Sequence, residues 1–198
     1  MSNPENIETA VTGIILAGGR GQRMGGVDKG LAMLGDRTMI ERVIERFGPQ
    51  VDELLIVANR NLDRYGSLGH RVVTDAIGDF AGPLAGLHRG MSEARHALVC
   101  TVPCDSPFLP VDLVERLRTP VLQGADLAVA SASGRTQPVF CLCRRSLLPG
   151  LESYLASGQR RFESWFAALA TAAVSFDDDA AFANINTPEE LRAQEKHS

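Results

Sequence analysis

The chain has 198 residues, of which 44% are hydrophobic and 22% charged, the length and composition of a globular domain with a sizeable core. The formal net charge of −4 argues against nucleic acid or an anionic membrane surface as the main partner. No apolar run approaches the roughly 20 residues of a membrane-spanning helix, and the start of the chain lacks the basic-then-apolar order of an export signal. We therefore expect a cytoplasmic protein with one domain over residues 1–198 and a flexible tail over 1–10.

The first half of the chain alternates apolar runs with an amphipathic helix. Thr38 and Glu41 have the spacing of a capping box, in which each side chain binds the other residue's backbone amide where a helix begins. The apolar residues that follow recur at the spacing of a helix facing the core, and they are Ile40, Val43, Ile44 and Phe47. Runs typical of buried strands span residues 11–17, 53–59 and 71–74.

The second half continues the same alternation. Pro83 follows Gly82 and is suited to the first turn of a helix over 83–94, and Thr187 and Glu190 repeat the capping box before a closing helix. Further helices are predicted over 112–118, 145–156 and 160–170, and strands over 97–103, 126–131, 138–143 and 171–176. This alternation predicts a three-layer α/β/α domain with a mostly parallel sheet, in which ligands bind beyond the carboxyl ends of the strands.

The sequence LAGGRGQRMGGVDKG, residues 16–30, holds six of the 19 glycines directly after the first strand. Glycines let successive backbone amides converge on an anion, and phosphate is the usual one. A P-loop is excluded because the residue directly before Lys29 is not glycine. A dinucleotide-binding pattern is excluded because Met24 occupies its third glycine position. An exposed glycine-rich loop would not explain Arg20 and Arg23, so we favour a phosphate-binding loop.

The four cysteines lie in apolar, strand-like runs, and they are Cys100, Cys104, Cys141 and Cys143. Their spacings differ from those of structural zinc sites. We therefore predict that they are small buried hydrophobic residues.

The glycine-rich loop resembles the signature loop of the nucleotidylyltransferases, specifically that of the molybdenum cofactor guanylyltransferases. Four later segments resemble the same family in the same order, and they are GPLAG (82–86), PCDSP (103–107), QPVF (137–140) and NINTPEE (184–190). The resemblance covers about residues 11–192. It implies a Rossmann-like fold of the nucleotide-diphospho-sugar transferase type.

The resemblance also implies an activity, the transfer of GMP from GTP to the phosphate of molybdenum-bound molybdopterin with release of pyrophosphate. In this family Lys29 and Arg23 would offset the charge on the leaving pyrophosphate, and Asp105 would hold Mg²⁺. Considered alone, Asp105 is equally well explained as a turn-forming residue, and the resemblance decides for the metal. The residues implied for the nucleotide are Leu16, Ala17, Gly18, Gly19, Lys29, Asn59, Asp75 and Asp105.

Two assignments on the nucleotide side stay open. Asp75 closes a predicted strand and would accept hydrogen bonds from guanine, but a contact to the ribose is equally compatible with the sequence. Asp79 is a rival for the same carboxylate role.

The pterin side is implied to include Gly82 and Pro83 at a helix start, with Asn184 and Asn186 on one side of an extended segment. Loop asparagines that satisfy backbone groups are the alternative for the last two. Arg160 and Arg161 would either meet the pterin phosphate or be solvated. The implied partners are the two substrates and molybdoenzymes or cofactor-delivery proteins, with a monomer expected.

Three other functions are compatible with parts of the sequence. The related cytidylyltransferases typically read L-A-A-G in the first loop and carry aspartates at the two asparagine positions, so Gly18, Asn184 and Asn186 favour guanine. A non-catalytic nucleotide-binding adaptor would have lost Lys29 or Asp105. A dinucleotide-dependent oxidoreductase is disfavoured by the failed glycine pattern.

Overall fold

The computed structural model describes residues 9–17, 28–74, 82–185 and Glu190. Its strands are β1 (Val11–Leu16), β2 (Met33–Leu34), β3 (Arg37–Thr38), β4 (Glu53–Val57), β5 (Arg71–Val73), β6 (Leu98–Pro103), β7 (Leu127–Ala132), β8 (Arg135–Arg144) and β9 (Thr171–Phe176). Its α-helices are α1 (Met39–Phe47), α2 (Leu62–Gly66), α3 (Pro83–Glu93), α4 (Leu113–Leu122), α5 (Leu148–Ala156) and α6 (Phe162–Phe166). Short 3-10 helices span Lys29–Leu31, Gly48–Gln50, Arg145–Leu147 and Asp179–Phe182.

Seven strands form one sheet in the order β5-β4-β1-β6-β8-β7-β9, and β2 pairs with β3 in a separate antiparallel ribbon. The prediction of a mostly parallel sheet is confirmed, and one strand is the exception. Strand β8 runs antiparallel to both β6 and β7. Only Ser133 and Gly134 separate β7 from β8, and both have positive φ angles (45° and 72°), so the chain reverses in a tight hairpin.

Helices cover both faces of the sheet, as predicted. Helices α1, α2 and α4 contribute Val43, Tyr65 and Leu117 to one apolar cluster. Helices α3, α5 and α6 contribute side chains such as Leu87 and Trp165 to a second cluster on the opposite face. Strand side chains alternate between the two clusters, because successive residues of a strand point to opposite faces.

The capping box at the start of α1 is confirmed. The Thr38 amide and hydroxyl donate to Glu41 Oε2 at 2.7 and 2.6 Å, and the Glu41 amide donates to Thr38 Oγ1 at 3.4 Å. Behind the box, Ile40, Val43 and Phe47 are fully buried, so the predicted core-facing stripe is confirmed as well.

Several boundaries differ from the predictions. The helix predicted over 160–170 shrinks to α6, where Phe162, Trp165 and Phe166 bury their rings before the chain turns towards β9. Helix α4 continues past Pro120 into its last turn, and the helix predicted over 145–156 begins as a 3-10 helix. Strands β2 and β3 and helix α2 were not predicted, since each is too short to show a period.

Other predictions concern particular side chains or the ends of the chain. The four cysteines are buried free thiols, as predicted. Among the described residues, no helix is both long and apolar enough to cross a membrane. Of the predicted tail, Thr9 and Ala10 are described and Ala10 is buried, while Thr187 of the closing capping box lies outside the described residues. The single domain over 1–198 and its tail stay predictions.

We expect replacement of Thr38 by alanine to destabilise the protein by about 1 kcal/mol, because a helix-capping side chain is lost. Urea denaturation measures this as a lower midpoint with an unchanged slope. Thr119→Ala is the matched control, since the Thr119 hydroxyl donates to a carbonyl within α4 and caps no helix start. An equal loss in both variants would contradict the capping interpretation.

The stability difference between wild type and Thr38→Ala should also depend on pH. Hydrogen bonds from the Thr38 side chain, and then from its backbone, hold the pKa of Glu41 below its usual value. A carboxylate with a lowered pKa in the folded state stabilises the protein above its unfolded pKa and loses this effect as pH falls through the folded value. Denaturation from about pH 7 down to the acid limit of folding should therefore show the difference shrinking below about pH 4.

Candidate active site

The carboxyl ends of the central strands lie side by side at one edge of the sheet. Leu16, which ends β1, is paired with Val57 of β4 and with Pro103 of β6. Backbone hydrogen bonds continue this alignment beyond the strands, from the Ala17 amide to Val57 O (2.8 Å) and from the Cys104 amide to Leu16 O (3.1 Å). The segments that follow these strands therefore leave the sheet next to one another, where ligands bind in parallel sheets.

Lys29 and Asp105 form an ion pair at this edge, with 3.2 Å between Nζ and Oδ2. Lys29 begins the 3-10 helix that follows the glycine-rich segment, and Asp105 lies two residues beyond β6. Their side chains are 23% and 12% exposed, so both charges are largely shielded from water yet reachable from the edge. The pair places a cation and a carboxylate where the sequence predicted phosphate and metal binding.

The residue before Lys29 is held from a different part of the fold. Asp28 Oδ1 accepts a hydrogen bond of 2.5 Å from the hydroxyl of Tyr65, and its Oδ2 accepts one of 2.9 Å from Asn61 Nδ2. Both donors belong to the segment around α2, which connects β4 to β5. None of these three residues was singled out by the sequence, because α2 is too short to show a period and nothing marks Asp28 as different from other loop carboxylates.

Gly30 is enclosed by two buried side chains. A β-carbon at this position would lie 2.8 Å from Tyr65 Oη, closer than real β-carbons approach, and 3.1 Å from Cys104 Sγ, a tight contact. The last glycine of the sequence LAGGRGQRMGGVDKG therefore lets the 3-10 helix pack directly against these side chains. This packing role differs from the role that the glycine content suggested, which was to let phosphate approach the backbone.

The segment around Asp105 is joined to residues near the end of the described chain. The Ile185 amide donates to Asp105 O at 3.0 Å, and the hydroxyl of the fully buried Ser106 donates to Asn184 Oδ1 at 2.6 Å. Ile185 is itself buried in a small apolar cluster with residues that include Met39 of α1. The structure thus brings Asn184 next to the Asp105 segment. The bond depends on Ser106, for which no role was predicted from the sequence.

Helix α3 begins at the same edge. A β-carbon on Gly86 would touch Leu16 Cδ2, whereas one on Gly90 would touch Ile14, so the helix runs from the carboxyl end of β1 towards its amino end. Gly82 precedes the helix with φ of 82° and ψ of −179°, a conformation that favours glycine. The predicted residues Gly82 and Pro83 therefore lie where the amide groups of a helix start face the edge.

Two buried titratable groups beside the ion pair are protonated at neutral pH. Burial raises the pKa of the Cys104 thiol, and the carboxylates of Asp105 and Asp28 raise it further. Burial likewise raises the pKa of the Tyr65 phenol, with the nearby Cys104 and Asp28 adding to the effect. Cys104 is therefore not a thiolate nucleophile, and Tyr65 acts as a hydrogen-bond donor.

The other predicted site residues are placed as follows. Asn59 lies half-buried two residues beyond β4. Arg160 Nη1 donates to the carbonyls of Leu155 and Gln159, which supports a local role at the end of α5. Five predicted residues lie outside the described part of the chain, and they are Gly18, Gly19, Arg23, Asp75 and Asn186. Arg20 of the glycine-rich loop and Asp79, the rival of Asp75, also lie outside it.

A cavity of about 550 Å³ at the opposite edge is a poor candidate for the same ligand. It lies near Ala97, at the amino end of β6, whereas Asp105 follows the carboxyl end of this strand. Its cations already have partners, since Arg95 pairs with Glu53 and Arg145 Nε donates to Met91 O.

The donor set at the edge fits Mg²⁺ bound together with a substrate. Among the described residues, no group of three or more His, Cys, Asp or Glu side chains is arranged to hold a metal ion. Mg²⁺ usually binds one or two carboxylates and completes its coordination with phosphate oxygens and water. The shielded carboxylate of Asp105 is suited to such a sparse site.

The chain is similar to known proteins over most of its length. A family profile described as the MobA-like NTP transferase domain matches residues 13–174. A molybdenum cofactor guanylyltransferase from Cupriavidus taiwanensis is 53% identical over 191 residues, covering 93% of this chain and 96% of that protein. One from Polynucleobacter asymbioticus is 48% identical over 200 residues, covering 98% of each chain.

Solved structures resemble the fold at lower sequence identity. The molybdopterin-guanine dinucleotide biosynthesis protein A of Archaeoglobus fulgidus superposes with a TM-score of 0.75 at 23% identity, covering 94% of this chain and 97% of that one. The 4-diphosphocytidyl-2C-methyl-D-erythritol synthase of Anaerococcus prevotii reaches 0.74 at 15% identity, covering 95% and 97%. At these identities the likeness concerns the fold alone.

We expect Gly30→Ala to destabilise the protein by about 1–3 kcal/mol, because the new methyl group would overlap Tyr65 Oη and crowd Cys104. Gly48→Ala is the control, since Gly48 has helical backbone angles and a β-carbon there meets nothing within 4 Å. Thermal and urea unfolding of both variants measure the difference. Equal stability of the two variants would contradict the close packing described for Gly30.

Proposed function

The chain belongs to the family of molybdenum cofactor guanylyltransferases, and we propose that the sheet edge around Lys29 and Asp105 is where it carries out this activity. The protein is a nucleotidyltransferase with the fold of the nucleotide-diphospho-sugar transferases. It transfers GMP from GTP to the phosphate of molybdenum-bound molybdopterin and releases pyrophosphate. The ion pair between Lys29 and Asp105 is the observation that carries the proposal for the site.

The reaction requires positioning and charge compensation more than covalent help from the protein. An oxygen of the pterin phosphate forms a bond to the α-phosphorus of GTP, and the bond from that phosphorus to the bridging oxygen of the β-phosphate breaks. Pyrophosphate leaves with the electron pair. A phosphate monoester is largely dianionic at neutral pH, so the attacking oxygen needs no general base.

In this proposal Lys29 binds the β- or γ-phosphate and offsets the charge that grows on pyrophosphate. Its ammonium group lies beside Asp105 rather than in bulk water, so little reorganisation is needed when the triphosphate arrives. Arg23 is proposed to assist it. The nucleotide is proposed to lie against the backbone of Leu16, Ala17, Gly18 and Gly19.

Asp105 is the residue proposed to hold Mg²⁺. When bound, a divalent cation would neutralise phosphate charge and orient the α-phosphate for in-line attack. The hydrogen bond from the Ile185 amide and the buried Ser106 hold the segment that carries this carboxylate.

The remaining residues are proposed to select the two substrates. Asn59 and Asp75 are assigned to the guanine nucleotide. The residues assigned to the pterin are Gly82, Pro83, Asn184 and Asn186. The link between Ser106 and Asn184 supports this division, because it joins a residue of the pterin side to the metal-binding segment.

The cellular location and the assembly state are also part of the proposal. We propose that the reaction takes place in the cytosol, since four free thiols fit a reducing compartment. A monomer stays a prediction, as do molybdoenzymes or cofactor-delivery proteins as partners.

The function is tested by nucleotide choice. GTP with Mg²⁺ should raise the melting temperature of the wild-type protein, whereas CTP and ATP should raise it far less, because only a bound nucleotide stabilises the folded state. Turnover with the pterin acceptor should release pyrophosphate from GTP. Equal stabilisation and turnover with CTP would identify a cytidylyltransferase instead.

The role of Asp105 is tested by Asp105→Asn, which keeps the size of the side chain and removes its charge. We expect guanylyl transfer to fall by at least about 100-fold, because the metal is no longer held against the phosphates. Asp112→Asn is the matched control, since Asp112 is half exposed and pairs with Arg116 at the start of α4 and not with Lys29. A folded Asp105→Asn variant with near-normal activity would rule out the assignment.

A further inference from the structure

Asp28 is held on both of its carboxylate oxygens by the segment around α2. The Tyr65 hydroxyl donates to Oδ1 at 2.5 Å, and Asn61 Nδ2 donates to Oδ2 at 2.9 Å. The next residue along the chain, Lys29, pairs with Asp105 at 3.2 Å. Asp28 and Lys29 therefore connect the segment that follows β4 to the segment that follows β6 through two adjacent side chains.

The hydroxyl of Tyr65 has a purpose other than filling space in the core. Tyr65 is fully buried, and a buried hydroxyl is unfavourable unless it makes a hydrogen bond. The absence of a side chain at Gly30 leaves room for this hydroxyl, since a β-carbon there would lie only 2.8 Å from it. The short bond to a carboxylate is of the charge-assisted type, which is stronger than a bond between neutral groups. We conclude that the hydroxyl serves to hold Asp28.

The position of Asn61 also indicates that its side chain serves to hold Asp28. It stands at the N-cap of α2, where an asparagine side chain ordinarily accepts a hydrogen bond from the helix amides. Within α2, all of which the structure describes, no amide donates to this side chain. The backbone of Asn61 is left-handed, with φ of 51° and ψ of 35°, and its side chain donates to Asp28 instead.

We propose that Tyr65 and Asn61 are positioning residues, which hold Asp28 and thereby set the place of the Lys29 ammonium group relative to Asp105 and the triphosphate. The inference rests on the proposed function, because it takes Lys29 as the group that binds the β- or γ-phosphate. Tyr65 and Asn61 act on the nucleotide through Asp28 and Lys29 and make no contact with it.

The test is Tyr65→Phe, with Tyr154→Phe as the matched control. The Tyr154 hydroxyl of α5 donates to Arg161 O at 2.9 Å, so its removal also deletes one hydrogen bond. Tyr65→Phe should weaken GTP binding by on the order of tenfold and leave GMP binding unchanged, since GMP lacks the phosphates that Lys29 binds. Tyr154→Phe should change neither affinity. Titration of both nucleotides measures this ratio without requiring turnover.

The second measurement places Tyr65→Phe in a Lys29→Ala background. If Tyr65 acts through Lys29, its replacement should cause no further loss of GTP affinity or of kcat/KM there. Asn61→Gly, which tolerates the same backbone angles, should shift the GTP to GMP ratio in the same direction and serves if Tyr65→Phe folds poorly.

Equal losses for GTP and GMP, or additive losses in the Lys29→Ala background, would overturn the inference. A wild-type protein that fails to turn over GTP, or a Lys29→Ala variant with normal GTP affinity, would instead overturn the proposed function. The two failures are therefore distinguishable.

Discussion

The ion pair between Lys29 and Asp105 joins residues that are 76 positions apart in the chain. It forms because β1 lies between β4 and β6 in parallel register, so the segments that follow these strands emerge at one edge. Partial burial of two charges costs desolvation energy that their attraction roughly offsets, so such a pair contributes little to net stability. Its value lies in keeping a cation and a carboxylate at a defined separation.

Each partner of the pair has its own support. Lys29 follows Asp28, which the α2 segment holds, and precedes Gly30, which lies against Tyr65. Asp105 is supported from the other side by the Ile185 amide. Side chains that are held by buried neighbours keep their geometry better than side chains on free loops, which is the requirement for binding a highly charged ligand.

The reversal of β8 adds a further segment to this edge. Because β8 runs antiparallel to β6, its amino-terminal part lies beside the carboxyl end of that strand. The segment QPVF, residues 137–140, is thereby carried towards Asp105, and Thr101 Oγ1 donates to Val139 O at 2.6 Å. A parallel β8 would have placed this segment at the opposite edge.

Features that depend on neighbouring residues could be predicted from the sequence. The apolar strands, the stripe on α1 and the capping box of Thr38 and Glu41 follow from spacings of a few positions, and the structure confirms them. The motifs after β1 and β6, together with the family resemblance, also predicted that Lys29 and Asp105 belong to one site, and the structure brings the two side chains into contact, while their roles stay predictions. The direction of β8 could not be predicted, since periodicity carries no information on strand direction. Nor could the bonds from Tyr65 to Asp28 and from Ser106 to Asn184, which span 37 and 78 positions. Such contacts depend on where the whole sheet brings distant segments together, and no local pattern records them.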